Sequence, residues 1–169
     1  MQGVDVAHSD LPAEIIAPES RCAKRGRLGR PLGLRTDAVL SQDERRRIEE
    51  LATFDFALVR RRLIQQGSLS EEWVDVAILE FRRYLALRLL SPGPVMMLSA
   101  DVDEVWHASI LFTRLYADLC QRVFGHFLHH DPELEPIADP CAEWRVFEER
   151  YTVLFGPPGA LWQAWKPLE

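Results

Sequence analysis

Residues 99–131 read SADVDEVWHASILFTRLYADLCQRVFGHFLHHD. Wound at about 100° per residue, Val105, Ala108, Phe112, Leu115, Tyr116, Leu119 and Val123 fall on one broad apolar face. Asp103, His107, Arg114, Asp118 and Gln121 fall on the opposite side, flanked by Ile110 and Leu111. A helix that is apolar around most of its circumference, with one polar seam, belongs at the centre of its domain. The pattern predicts a single long helix from about Asp101 to Phe124, ended by Gly125, with Asp101 and Glu104 as an N-terminal capping pair.

The segments on either side are helical too. Ser41 and Glu44 have capping-box spacing, and Ile48, Leu51, Ala52, Leu58, Val59 and Leu63 recur at helical intervals, with a weak point near Thr53–Asp55. Gly67 and Ser68 end that run. Ser70, followed by Glu71 and Glu72, starts a second run whose buried stripe is Trp73, Val74, Ala77, Ile78, Phe81, Tyr84 and Leu85. Glu80, Arg82 and Arg83 are expected to face water. The prolines of SPGPV (91–95) stop it. Downstream, HHDPELEPIADP (129–140) is a proline-rich loop. Cys141 to Phe155 is a helix with Trp144, Phe147, Tyr151 and Leu154 on one face, and the aromatic tail LWQAW (161–165) is expected to pack. Alternation with a period of two is scarce. The fold class is therefore all-α: a single compact bundle of four to five main helices with the 101–124 helix at its centre.

The chain has 169 residues, 47% hydrophobic and 27% charged, which suits one globular domain rather than a disordered chain. The net charge of −6 disfavours non-specific nucleic-acid binding by the body of the protein. Residues 1–40 carry +1 and the remainder −7. The stretch RCAKRGRLGRPLGLRT (21–36) has six positive charges, no negative ones and no helical or strand period, so residues 1–40 are expected to form a flexible basic arm and 41–169 the helical domain. No apolar run reaches the roughly 20 residues of a membrane span, and the N-terminus lacks the pattern of a secretory signal. Cys22, Cys120 and Cys141 are too scattered for a disulfide framework, which suggests a reducing cytoplasm.

Chemistry concentrates in the quoted segment. Asp103 and His107 are one helical turn apart, so the carboxylate can orient the imidazole or ligate a metal with it. His126, His129, His130 and Asp131 follow, and a chain that folds back along the helix brings His129 or His130 to His107. Two histidines and a carboxylate would hold a single divalent metal, zinc or iron, with a position left open. The competing reading makes Asp101 and Asp103 helix-terminus charges and His107 a hydrogen-bonded structural residue. Cys120 has no histidine three or four residues away and reads as a packed core cysteine. The absence of GxSxG, P-loop and dinucleotide-binding glycine patterns excludes those classes.

EFRRY (80–84), a proline-containing loop, Asp101-Val-Asp-Glu-Val-Trp106-His107, then Tyr116, Cys120 and Phe124-Gly125 together resemble the helical domain of plant glycine-rich domain-containing proteins and their bacterial relatives. The similarity covers about residues 45–130. It implies a helical domain in which Asp101, Trp106, His107, Tyr116 and Cys120 are the signature positions, and it implies no particular reaction. Ser109 stands where the plant proteins often have a second histidine, and Phe112-Thr113 where they often have Asn-Pro.

Three readings of function remain. The first is a small cytoplasmic binding module whose contact residues are Asp101, Trp106, Arg114, Tyr116 and Cys120, with a protein as partner, RNA contact through the basic arm at 21–35 ranked lower, and no membrane. The second is a metal-dependent enzyme built on His107 with Asp103 and His129 or His130. The third is a buried lock of Asp101, Trp106 and His107 that fixes a helix crossing. The sequence leans towards the first.

Overall fold

The computed structural model describes residues 31–35, 39–130 and 137–164. Among them the chain forms seven α-helices and no strand: α1 (Gln42–Thr53), α2 (Ala57–Gln66), α3 (Glu71–Leu90), α4 (Ala100–Leu111), α5 (Thr113–Val123), α6 (Pro140–Phe155) and α7 (Ala160–Gln163). A single 3-10 turn, Pro31–Gly33, precedes them. The expected all-α bundle is the observed class. No described helix is long and apolar enough to cross a membrane.

The helix starts and stops follow local chemistry. Ser41 Oγ accepts from Glu44 N at 3.2 Å while Glu44 Oε2 accepts from Ser41 N at 2.7 Å, a complete capping box. These two bonds also lower the Glu44 carboxyl pKa below the usual range. The weak point in the first run is a real break: Phe54 and Phe56 are buried between α1 and α2, and Asp55 Oδ1 caps Ala57 N at 2.8 Å.

The expected single helix over 101–124 is two helices. At Phe112 the backbone leaves helical geometry (φ −91°, ψ 66°), so α5 departs on a new axis. Nor do Asp101 and Glu104 cap it, because the helix begins earlier and Ser99 Oγ receives Val102 N at 3.4 Å. The polar seam is cut at the same place: Arg114, Asp118 and Gln121 belong to α5 and are exposed. The centre of the bundle is α3, which packs against α1, α2, α4, α6 and the 31–33 turn.

Three charged residues expected in water lie in this interior instead. Glu80 is only 5% exposed, yet each of its oxygens is satisfied. Oε1 accepts from Arg83 Nη1 at 2.8 Å; Oε2 accepts from Tyr151 O–H at 2.5 Å and from Trp162 Nε1–H at 2.7 Å. Burial and the adjacent Glu80 carboxylate push the Tyr151 phenol well above its ordinary pKa, so it remains a donor. Arg82 turns inward to the open end of α1, where it donates to the carbonyls of Leu51, Ala52 (3.0 Å) and Phe54 (2.7 Å). Arg83 Nε also donates to Leu32 O at 3.0 Å.

That last bond draws part of the expected arm into the domain. Leu32 and Leu34 are buried, and Arg35 N donates to Leu154 O at 2.8 Å. A Cβ at Gly33 (φ 74°) would lie 3.0 Å from Arg83 Nη2, so the turn needs a glycine there. Among the described residues packing begins at Pro31; the rest of the basic stretch, residues 21–30 and Thr36, lies outside them.

Trp162 is fully buried against Phe147, with ring centroids 4.5 Å apart, whereas Trp165 lies outside the described residues. Trp73 is 38% exposed and Leu58 46%, so neither belongs to the buried stripe expected of it.

Replacing Glu80 by alanine strands three buried donors. Glu80→Ala is expected to lower unfolding stability by about 3–5 kcal/mol, read from the urea midpoint. Glu80→Gln, which keeps one acceptor, should cost less. A loss below about 1 kcal/mol for the alanine variant would place the cluster among ordinary surface pairs.

Candidate metal centre

Ser99 sets the start of α4 and so the direction in which its first two turns point. Asp103 and His107 share one face, with His107 Nε2 3.6 Å from Asp103 Oδ2. The third member arrives from beyond α5. Gly125 (φ 76°) ends that helix, its N–H shared between Cys120 O and Gln121 O at 3.1 Å each, and the chain then reverses.

Hydrogen bonds of buried groups fix where the returning segment lies. Trp106 Nε1–H donates to Tyr116 Oη at 2.8 Å, and Tyr116 O–H donates to Leu128 O at 2.6 Å. Leu128 N–H points to Cys120 Sγ at 3.5 Å. Burial pushes the Tyr116 pKa far up, so the phenol keeps the proton it donates.

This chain of bonds delivers His130 onto Trp106. The two rings are stacked, with centroids 4.1 Å apart and planes inclined by 16°. His130 Nε2 then sits 2.9 Å from His107 Nε2 and 3.1 Å from Asp103 Oδ1. Asp103, His107 and His130 are the group of potential metal ligands that the described residues bring together.

Hydrogen bonding alone accounts poorly for that convergence. One imidazole N–H cannot be aimed at two acceptors in different directions. Asp103 Oδ1 is buried and receives no aligned hydrogen bond, although His130 Nε2 is within ion-pair distance. An orphaned carboxylate oxygen facing two imidazole nitrogens is a place for a cation. Ligands held at 2.0–2.1 Å from one ion are about 2.9 Å apart in octahedral and about 3.4 Å apart in tetrahedral coordination. The His130 Nε2 separations of 2.9 Å from His107 Nε2 and 3.1 Å from Asp103 Oδ1 fall in that range, and with one ligand atom from each residue all three lie within 4.8 Å of one another.

The triad opens onto a cavity of about 590 Å³, within the span of small-molecule sites. Its wall comes from the end of α3 (Tyr84, Arg88), the extended 94–99 segment, the first two turns of α4, and His129 with His130.

The other residues singled out from the sequence lie elsewhere. His129 reaches the cavity wall but not the triad; its ring meets Phe127 edge-on at 5.0 Å. His126 lies by Phe124, and Asp131 is outside the described residues. Trp106, Tyr116 and Cys120 are at most 2% exposed and belong to the packed interior. Cys120 is a packed core cysteine, as its neighbours suggested. Asp101 and Arg114 do not line the cavity. The lock that exists joins Trp106 to Tyr116 and Leu128, not to Asp101 and His107.

Sequence reasoning passed over Arg88 and the 94–99 wall. Arg88 falls in the last turn of α3, where a cation suits the helix dipole, so nothing in the pattern marks it as facing a cavity.

Comparison with known proteins gives a family rather than an activity. The model of the UCP032817-like family matches residues 44–138, more than half of the chain. The protein belongs to that family, and the matched span runs from the first turn of α1 past His130. No curated protein and no solved structure matches.

Tyr116→Phe removes both links of the buried chain at once, leaving Trp106 Nε1–H and Leu128 O unpaired. The expected loss is about 1–3 kcal/mol in thermal unfolding. The indole emission of Trp106 should also shift, and an unchanged melting temperature would contradict the role given to this bond.

Proposed function

We propose that the protein is a metal-dependent enzyme in which Asp103, His107 and His130 hold one divalent ion, zinc or iron, beside a small-molecule cavity. The observation that supports this most is the buried, unbonded Asp103 Oδ1, 3.1 Å from His130 Nε2 and grouped with His107 at the mouth of that cavity. In this reading Asp103 supplies the anionic ligand and the two histidines neutral nitrogen ligands. Trp106, through its stacking contact, holds the plane of the His130 ring. Three protein ligands leave coordination positions open towards the cavity, the arrangement of catalytic rather than structural sites. Such an ion, when bound, supplies Lewis-acid polarisation of a substrate oxygen.

The binding-module reading has less support, because three of its five contact residues are buried in the lock. RNA contact through residues 21–35 draws no support from the described part, where Leu32 and Leu34 face the core. A cytoplasmic location belongs to the same proposal, supported by the free cysteines Cys120 and Cys141. So does kinship with the glycine-rich domain proteins, supported by the way Trp106, Tyr116 and Cys120 act as one unit.

The test is metal content. Untagged protein incubated with zinc, or with iron(II) under anaerobic conditions, should retain about one ion per chain after desalting. His130→Ala and Asp103→Ala should each retain less than a tenth of that. No retention of either ion, or equal retention by the variants, would overturn the site. Saturating metal should also raise the melting temperature, by an increment worth about 2.7 kcal/mol at a hundred times Kd, and a chelator should reverse it.

A further inference from the structure

The cavity has one basic side chain in its wall that the metal reading does not use. Arg88 is half-buried, and its Nη1 donates to Val95 O at 3.2 Å and to Tyr84 Oη at 3.5 Å. Both acceptors are neutral, and Tyr84 directs its own hydroxyl proton to Val95 O at 2.9 Å. These contacts anchor the guanidinium by one nitrogen. Nε and Nη2 have no protein partner among the described residues, and no described carboxylate pairs with Arg88.

The surroundings set what such a cation will accept. Met96, Met97 and Leu98 make the neighbouring wall apolar, and among the described residues Arg88 is the one Lys or Arg that lines the cavity. The one lining carboxylate among the described residues, Asp103, is committed to the triad. A half-buried guanidinium with two idle donors, no counter-ion among the described residues and an apolar stretch of wall beside it is suited to a ligand that brings one negative charge on a planar pair of oxygens. A phosphate dianion calls for further Lys or Arg side chains, which the described wall lacks.

We infer that the cavity takes a small organic carboxylate. Its carboxylate accepts from the free edge of Arg88, its apolar body lies along Met96–Leu98, and its other end meets the triad. Only that last clause rests on the metal reading; recognition by Arg88 does not.

Calorimetric titration of the full chain with hexanoate, hexanamide and hexyl phosphate tests this. It is run first on metal-free protein, where no ion competes for the acid, and then with zinc. Hexanoate is expected to bind at least about tenfold tighter than hexanamide, the worth of a charge-assisted pair. Arg88→Met should erase that preference and Arg88→Lys should keep part of it. Equal affinity for acid and amide, binding of hexyl phosphate alone, or a preference that survives in Arg88→Met would each overturn the inference. The acid–amide comparison uses the unaltered chain, so it stands whatever Arg88→Met does to folding. Metal retention by the same protein separates the two readings. A preference for the acid in protein that retains neither zinc nor iron(II) overturns the metal site and leaves this inference standing; metal retention without a preference overturns this inference alone.

Discussion

The hydroxyl of Tyr116 holds together parts of the chain that otherwise have no reason to meet. It accepts a hydrogen bond from an indole N–H on α4, donates one to a carbonyl beyond α5, and does both out of contact with water. Out of water an unmade bond of this kind costs more than a made one gains, so the geometry tolerates few alternatives. The angle between α4 and α5 at Phe112, the reversal at Gly125 and the stacking of His130 on Trp106 all have to satisfy it. The candidate site is a by-product of that constraint: the segment that returns to present the Leu128 carbonyl carries His130 two residues further on.

Much of this was legible in the sequence, for reasons that can be named. The helices show because apolar residues recur on one face, as Val74, Ala77, Ile78 and Phe81 do on α3. The Ser41 box shows because both of its bonds are local. Asp103 and His107 show because one turn of helix brings them together. What failed to show depends on distant residues. Glu80 finds its partners 71 and 82 positions away, so a reading of α3 alone sends it to solvent. Arg82 reaches back 28 to 31 positions to the end of α1. The break at Phe112 has neither a proline nor a glycine to announce it. His129 and His130 are indistinguishable by composition; only the anchoring of Leu128 decides which ring turns to Trp106.

The contrast between the two polar groups inside this domain separates structure from chemistry. Around Glu80, four side chains from α3, α6 and α7 satisfy one another completely. Around Asp103, three ligating residues converge, one oxygen is left over, and a cavity lies alongside. Closed networks fix a fold, whereas incomplete ones beside open space are where a ligand completes the set. The family match spans the incomplete group entirely and ends short of Tyr151 and Trp162, which close the complete one.

The long reach of Glu80 has a consequence for how the chain is made. During synthesis α3 emerges well before Trp162, the residue 82 positions later that completes the carboxylate's shell. Until then Glu80 cannot be buried cheaply, since a charge without its donors belongs in water. The short helix α7, last of the described elements, therefore acts as a latch: the Glu80 face of α3 closes fully only once the Trp162 indole is free to reach back.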